Sequence, residues 1–163
     1  MHTTRFTIDA YLAEYLLGKW GVPHENDANR LVVQIPREVY LFNLLHSLTM
    51  KRPRHVPGAC GNIEMVVPFR KEGNKRPEHY NYISDAGARL FNKKTTQFFR
   101  ADLHEFIDNR KHVHGDSIKD ACFLFVALYQ VKSIDPESLA KNYYRWRGYV
   151  REMNRERRAY LTR

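Results

Sequence analysis

The chain is poor in cysteine. It has two, Cys60 in a Gly-rich turn and Cys122 inside an apolar run, with no Cys-x-x-Cys spacing, which leaves neither a disulfide framework nor a zinc knuckle to expect. Nothing electropositive neighbours Cys122 in sequence, so it reads as a small hydrophobe and not as a reactive thiol. No apolar run approaches the roughly 20 residues that span a bilayer. The N-terminal stretch carries Asp9, Glu14 and Gly18 within its apolar part and lacks the basic start and long apolar centre of a secretory signal, so a cytoplasmic protein with no membrane partner is expected. Also missing are HExxH, a phosphate-cradling glycine loop, a nucleophile elbow and a Rossmann fingerprint. The expectation is a non-enzymatic protein with no cofactor and no metal.

Acidic residues are scarce as well. Asp and Glu number 18 against 27 Lys and Arg, a formal charge of +9, which favours a polyanionic partner without choosing one. The excess is polarised along the chain. Residues 1–50 are close to neutral, whereas the segment from Lys141 to Arg163 holds eight basic residues against only Glu152 and Glu156.

Apolar residues make up 43% and aromatics 13%, too rich for a disordered chain. At 163 residues a single compact domain, 1–163, is expected, with sub-lobes 1–83 (α/β) and 84–163 (helical). Thr7 or Asp9 caps a helix over 10–19, after which Gly18 and Gly21 loosen the chain and 23–30 forms a polar loop. The β-branched run 31–35 reads as a strand ending at Pro36, and apolar residues at helical intervals place a helix over 37–50.

This strand, proline and helix order resembles a ribbon-helix-helix unit, in which the strand would read the major groove. Only Gln34 and Arg30 offer polar side chains for that task, and no second capped helix follows at a short interval. The run 31–35 is therefore expected to pair antiparallel with a second strand at 62–69, as a two-stranded ribbon leaning on helices. A basic loop, 69–82, is the expected mobile segment. Helices follow over 84–109 and 116–129, separated by a break at 110–115. The centre of the second, 121–128, is apolar on every side, the pattern of a helix buried all round.

Asp135 then Pro136 and Glu137 form a helix start. Leu139, Tyr143, Trp146, Val150 and Met153 recur every three or four residues and should face protein. Lys141, Arg145, Arg151, Arg155 and Arg158, with Tyr144 among them and Arg147 at the margin, should face solvent or a polyanion. Glu152 and Glu156 lie within one turn of Arg151 and Arg155 and should dilute that part of the face.

The fold class expected is mainly α (α+β), with four or five helices, the small ribbon and a C-terminal lobe that is helix-turn-helix-like by arrangement. The leading function is nucleic-acid binding, DNA rather than RNA, in a regulatory or accessory role. Lys141, Tyr144, Arg145, Arg147, Arg151, Arg155 and Arg158 are its candidate contacts. One alternative is a structural or protein-interaction module of a phage or mobile element, a homo-oligomer built on Tyr143, Tyr144, Trp146 and Tyr149. A second is a metal-dependent nuclease using His104, Asp108, His112 and His114.

Overall fold

The computed structural model describes residues 1–56, 60–69 and 74–161. Along them run β1 (Thr3–Phe6), α1 (Ala10–Trp20), β2 (Gly21–His24), β3 (Asp27–Val33), α2 (Tyr40–Leu48), β4 (Ile63–Val66) and α3 (Asp85–Asn109). A π-helical turn (Arg110–His114), α4 (Ile118–Leu128) and α5 (Pro136–Leu161) complete the order. The class is α+β. Among the described residues no helix is long and apolar enough to cross a membrane.

The expected two-stranded ribbon is a four-stranded mixed sheet of order β1-β4-β3-β2. Strands β3 and β4 are neighbours, but parallel, with Val33 opposite Met65. The reason is the helix between them, which returns the chain to the end of the sheet where β3 began, so that β4 runs the same way. Strand β1 pairs antiparallel with β4, Thr4 opposite Met65 and Phe6 opposite Ile63. Strand β2 hairpins onto β3 where a polar loop was expected. Pro23 is tolerated there because β2 is an edge strand.

Phe6, Val33, Ile63 and Met65 turn to the helices and join one buried cluster with Leu12, Tyr15, Leu16, Phe91, Phe99, Leu103, Phe125 and Tyr143, drawn from both halves of the chain. On β4 the intervening Glu64 is also buried and accepts from Thr3 Oγ1 at 2.6 Å, Arg5 Nη2 at 2.9 Å and Arg30 Nε at 2.8 Å. Burial alone would raise this carboxyl. The two guanidiniums and the hydroxyl instead hold it down at about 2.

Helix α1 is the centre of the packing. Tyr15 meets Phe99 edge-on at 4.9 Å and Tyr129 at 5.1 Å, and stacks on Phe125 at 5.9 Å, each such pair contributing about 0.5–1.5 kcal/mol beyond its burial. Its hydroxyl donates to Asp102 Oδ2 at 2.7 Å, and Lys19 Nζ lies 2.8 Å from both oxygens of the same carboxylate. Burial and Asp102 push the Tyr15 hydroxyl far above its ordinary range, so it stays protonated. Asp9 occupies the N-cap of α1, yet its carboxylate accepts from Asn92 Nδ2 on α3 at 3.0 Å and makes no bond to the helix N–H groups.

Helix α3 begins at Ser84, whose Oγ accepts from Gly87 N at 3.2 Å. The expected break at 110–115 is the π-helical turn, closed by left-handed Gly115 and bridged by Arg110 Nε donating to Asp116 Oδ2 at 2.5 Å. Ser117 caps α4, accepting from Asp120 N at 3.1 Å.

Helix α4 corrects the expectation of burial on all sides. Ala121, Cys122 and Phe125 are buried, but Phe123, Leu124 and Leu128 are 49%, 41% and 58% exposed. The elements of its own chain cover one side only. In the loop expected to be mobile, residues 70–73 lie outside the described residues. Beyond them Lys75 Nζ donates to the carbonyls of Ser47 and Thr49 at 3.1 and 3.0 Å, closing the C-terminus of α2.

Candidate nucleic-acid interface

Helix α5 is rooted by three devices. Asp135 Oδ1 accepts from Glu137 N at 3.2 Å, and the Asp135 carbonyl accepts from Ser138 N and Leu139 N at 3.0 and 3.3 Å. Pro136, the first helical residue, has no N–H to leave unpaired there. Glu14 of α1 reaches across to the connection before α5. It accepts from Lys132 N at 2.6 Å, Ser133 N at 2.8 Å and Ser133 Oγ at 2.6 Å. No feature of the sequence around Glu14 announces this clamp.

The apolar stripe of α5 divides. Leu139, Ala140 and Tyr143 are buried, Trp146 and Val150 are half-buried, and Met153 is 50% exposed. From Arg151 to Tyr160 every residue is exposed. The cause is length. Helix α5 has 26 residues and α4 has 11, about 39 Å against about 16 Å, so the distal half of α5 runs past its supports.

At the edge of the packed half, His104 of α3 is buried and its ring stacks on Trp146 at 4.2 Å with 23° between planes. Its Nε2 lies 3.3 Å from Asn142 Oδ1. Burial draws its pKa below the usual 6.5, against the opposing pull of Asn142 and Asp108, which keeps the ring neutral at neutral pH. Tyr143 donates its hydroxyl to Asp108, and Arg147 Nη1 donates to Tyr143 Oη at 3.1 Å and sits 3.8 Å from Asp108 Oδ1. A groove of about 770 Å³ runs beside this cluster, lined by Gln97, Arg100, His104, Glu105 and Trp146 among others.

Of the expected contacts, Lys141, Tyr144, Arg145, Arg151, Arg155 and Arg158 are exposed. Lys141, Arg145, Arg151 and Arg155 have no ion-pair partner among the described residues, and the expected pairing of Arg151 and Arg155 with Glu152 and Glu156 is not formed there. Arg147 is placed differently, half-buried and held by Tyr143 and Asp108. At about 100° per residue, Arg151, Arg155, Arg158 and Tyr144 share one edge of α5. Tyr149, Met153 and Tyr160 continue the line of Trp146 along the opposite edge.

The structure does not bring the other two constellations together. His104 and Asp108 are engaged as above, while His112 and His114 stand exposed on the π-helical turn. Among the described residues no group of three or more His, Cys, Asp or Glu converges as a metal site. Tyr143 is fully buried, which removes it from any oligomer surface. No family model, curated protein or solved structure matches the chain. Function is therefore inferred from the side chains and their placement.

Proposed function

We propose that the protein binds nucleic acid through the exposed basic edge of α5, as a non-catalytic regulatory or accessory factor, with DNA preferred to RNA. The observation that supports this most directly is the distal half of α5. Every residue from Arg151 to Tyr160 is exposed, so Arg151, Arg155, Arg157 and Arg158 serve no core. Together with Lys141 and Arg145 they offer several cations to one backbone of phosphates, the interaction that supplies most of the affinity in such complexes. Tyr144, 59% exposed, is placed to stack or pack on sugar. A single projecting helix fits the major groove of B-DNA, whereas the deep, narrow groove of A-form RNA does not admit one.

Changing Lys141, Arg145, Arg151 and Arg155 together to Ala should lower affinity for mixed-sequence duplex at moderate salt by tenfold or more. It should also flatten the salt dependence, each lost phosphate contact reducing the log–log slope by about 0.9. Thermal stability should hold, since surface substitutions of this kind move it by about 0.5 kcal/mol or less. Gel-shift titrations of duplex, single strands and structured RNA across a salt series measure all of this, and unchanged binding by the quadruple variant would sink the proposal. A protein-interaction role, favoured by the exposed aromatic edge at Tyr149, Met153 and Tyr160, would show instead as binding that salt scarcely weakens.

A further inference from the structure

Helix α4 is apolar all round, and a helix of that composition is stable when all its sides are covered. Its own chain covers one. The other carries Phe123, Leu124, Ala127 and Leu128, every one of them exposed. With Asp120 they fall at i, i+3, i+4, i+7 and i+8, the spacing by which one helix meets another. Contiguous exposed apolar surface of this kind marks an interaction site.

We propose that a second copy of the chain covers this stripe, the two α4 helices lying antiparallel across a twofold axis that passes between positions 125 and 126. Such an axis sets Phe123 of each copy against Leu128 of the other and Leu124 against Ala127, so that a large side chain fills the space a small one leaves. It also carries Asp120, at one end of the stripe, toward Lys132 beyond the other end. Both side chains are exposed, and the Asp120 carboxylate holds only the Ser117 hydroxyl and lies near no cation of its own helix face. Symmetry repeats that opposite-charge pair at both ends of the contact. A lipid surface fits less well, because the nearest lysine on α4, Lys119, is engaged with Glu137 at 3.2 Å and no cationic rim surrounds the stripe. Stable interfaces bury about 800 Å² per partner. Four apolar side chains on an 11-residue helix supply less, which sets the dimer in the weak, concentration-dependent class. The pairing stands independently of nucleic-acid binding.

Sedimentation equilibrium of the full chain, from low micromolar to near-millimolar concentration, should show the mass rising from 19.4 kDa toward twice that value. Leu124→Asp should stay monomeric throughout with an unchanged melting temperature. Asp120→Lys and Lys132→Asp should each weaken the dimer and, combined, restore it. A wild-type chain monomeric at every concentration, or a dimer that survives Leu124→Asp, overturns the proposal. Failure of the combined charge reversal to restore the dimer overturns the antiparallel register.

Discussion

Gly18 shows how tightly α1 and the end of α4 are fitted. A Cβ at that position would stand 2.1 Å from the Tyr129 carbonyl oxygen, so the two backbones touch where any side chain would separate them. Gly18→Ala should therefore destabilise the protein by about 1–3 kcal/mol, the range of overpacking in a well-filled core. Just beyond, Gln130 N bonds to Ala127 O at 3.3 Å and Val131 N to Val126 O at 2.9 Å, the pair of bonds of a Schellman motif. The left-handed position of that motif, usually glycine, is filled by Gln130 at φ 54°, at a cost of about 1–2 kcal/mol. Gln130→Gly should raise stability by about 1 kcal/mol. Urea unfolding of the two variants tests both signs, and a stabilised Gly18→Ala would refute the close approach.

Among the elements, α5 joins a packed half to a projecting half, and Gly148 stands at the change. A Cβ there meets nothing within 4 Å, so packing gives no reason for glycine, and Gly148→Ala should stabilise the helix by about 0.5–1 kcal/mol. A loss of melting temperature would show that the backbone departs from helix at that point. The start of α5 was legible in Asp135 and Pro136, and the long α3 in the spacing of Phe91, Phe99, Leu103 and Ile107, because both signals are local. Strands β1 and β2 were not legible. Four residues each carry too little alternation to declare a strand, and both exist through partners distant in sequence. The basic surface of α5 was visible as composition, but not where it would end. Whether Arg147 faces solvent or Asp108 depends on α3, which lies about forty positions earlier. Likewise the apolar run of α4 gave the need for cover without telling which cover is intramolecular.

At the scale of the whole molecule, acid should unfold the protein in two stages. His104 titrates below its ordinary 6.5 in the folded state, so the unfolded chain takes that proton first. The stability tied to it is present above 6.5 and declines as pH falls below it. Glu64 is depressed from 4.5 to about 2. Its contribution is complete above 4.5 and is lost as pH falls from there toward 2. Melting temperatures measured from pH 8 to pH 2.5 should fall along both segments. His104→Gln should flatten the upper one and Glu64→Gln the lower, and a profile unchanged by either would show that other groups control acid stability.

The clamp from Glu14 to Lys132 and Ser133 spans 119 positions of the chain at its widest, and Tyr15 closes on Phe99, Phe125 and Tyr129 over comparable distances. The first helix thus has no complete partner until α4 and the connection after it exist. On the ribosome α1 must wait for most of the polypeptide to emerge, and in refolding it must find its place through long loop closures. Folding is consequently slow for a largely helical protein, and a chain cut short before α4 leaves the most apolar helix of the N-terminal half uncovered.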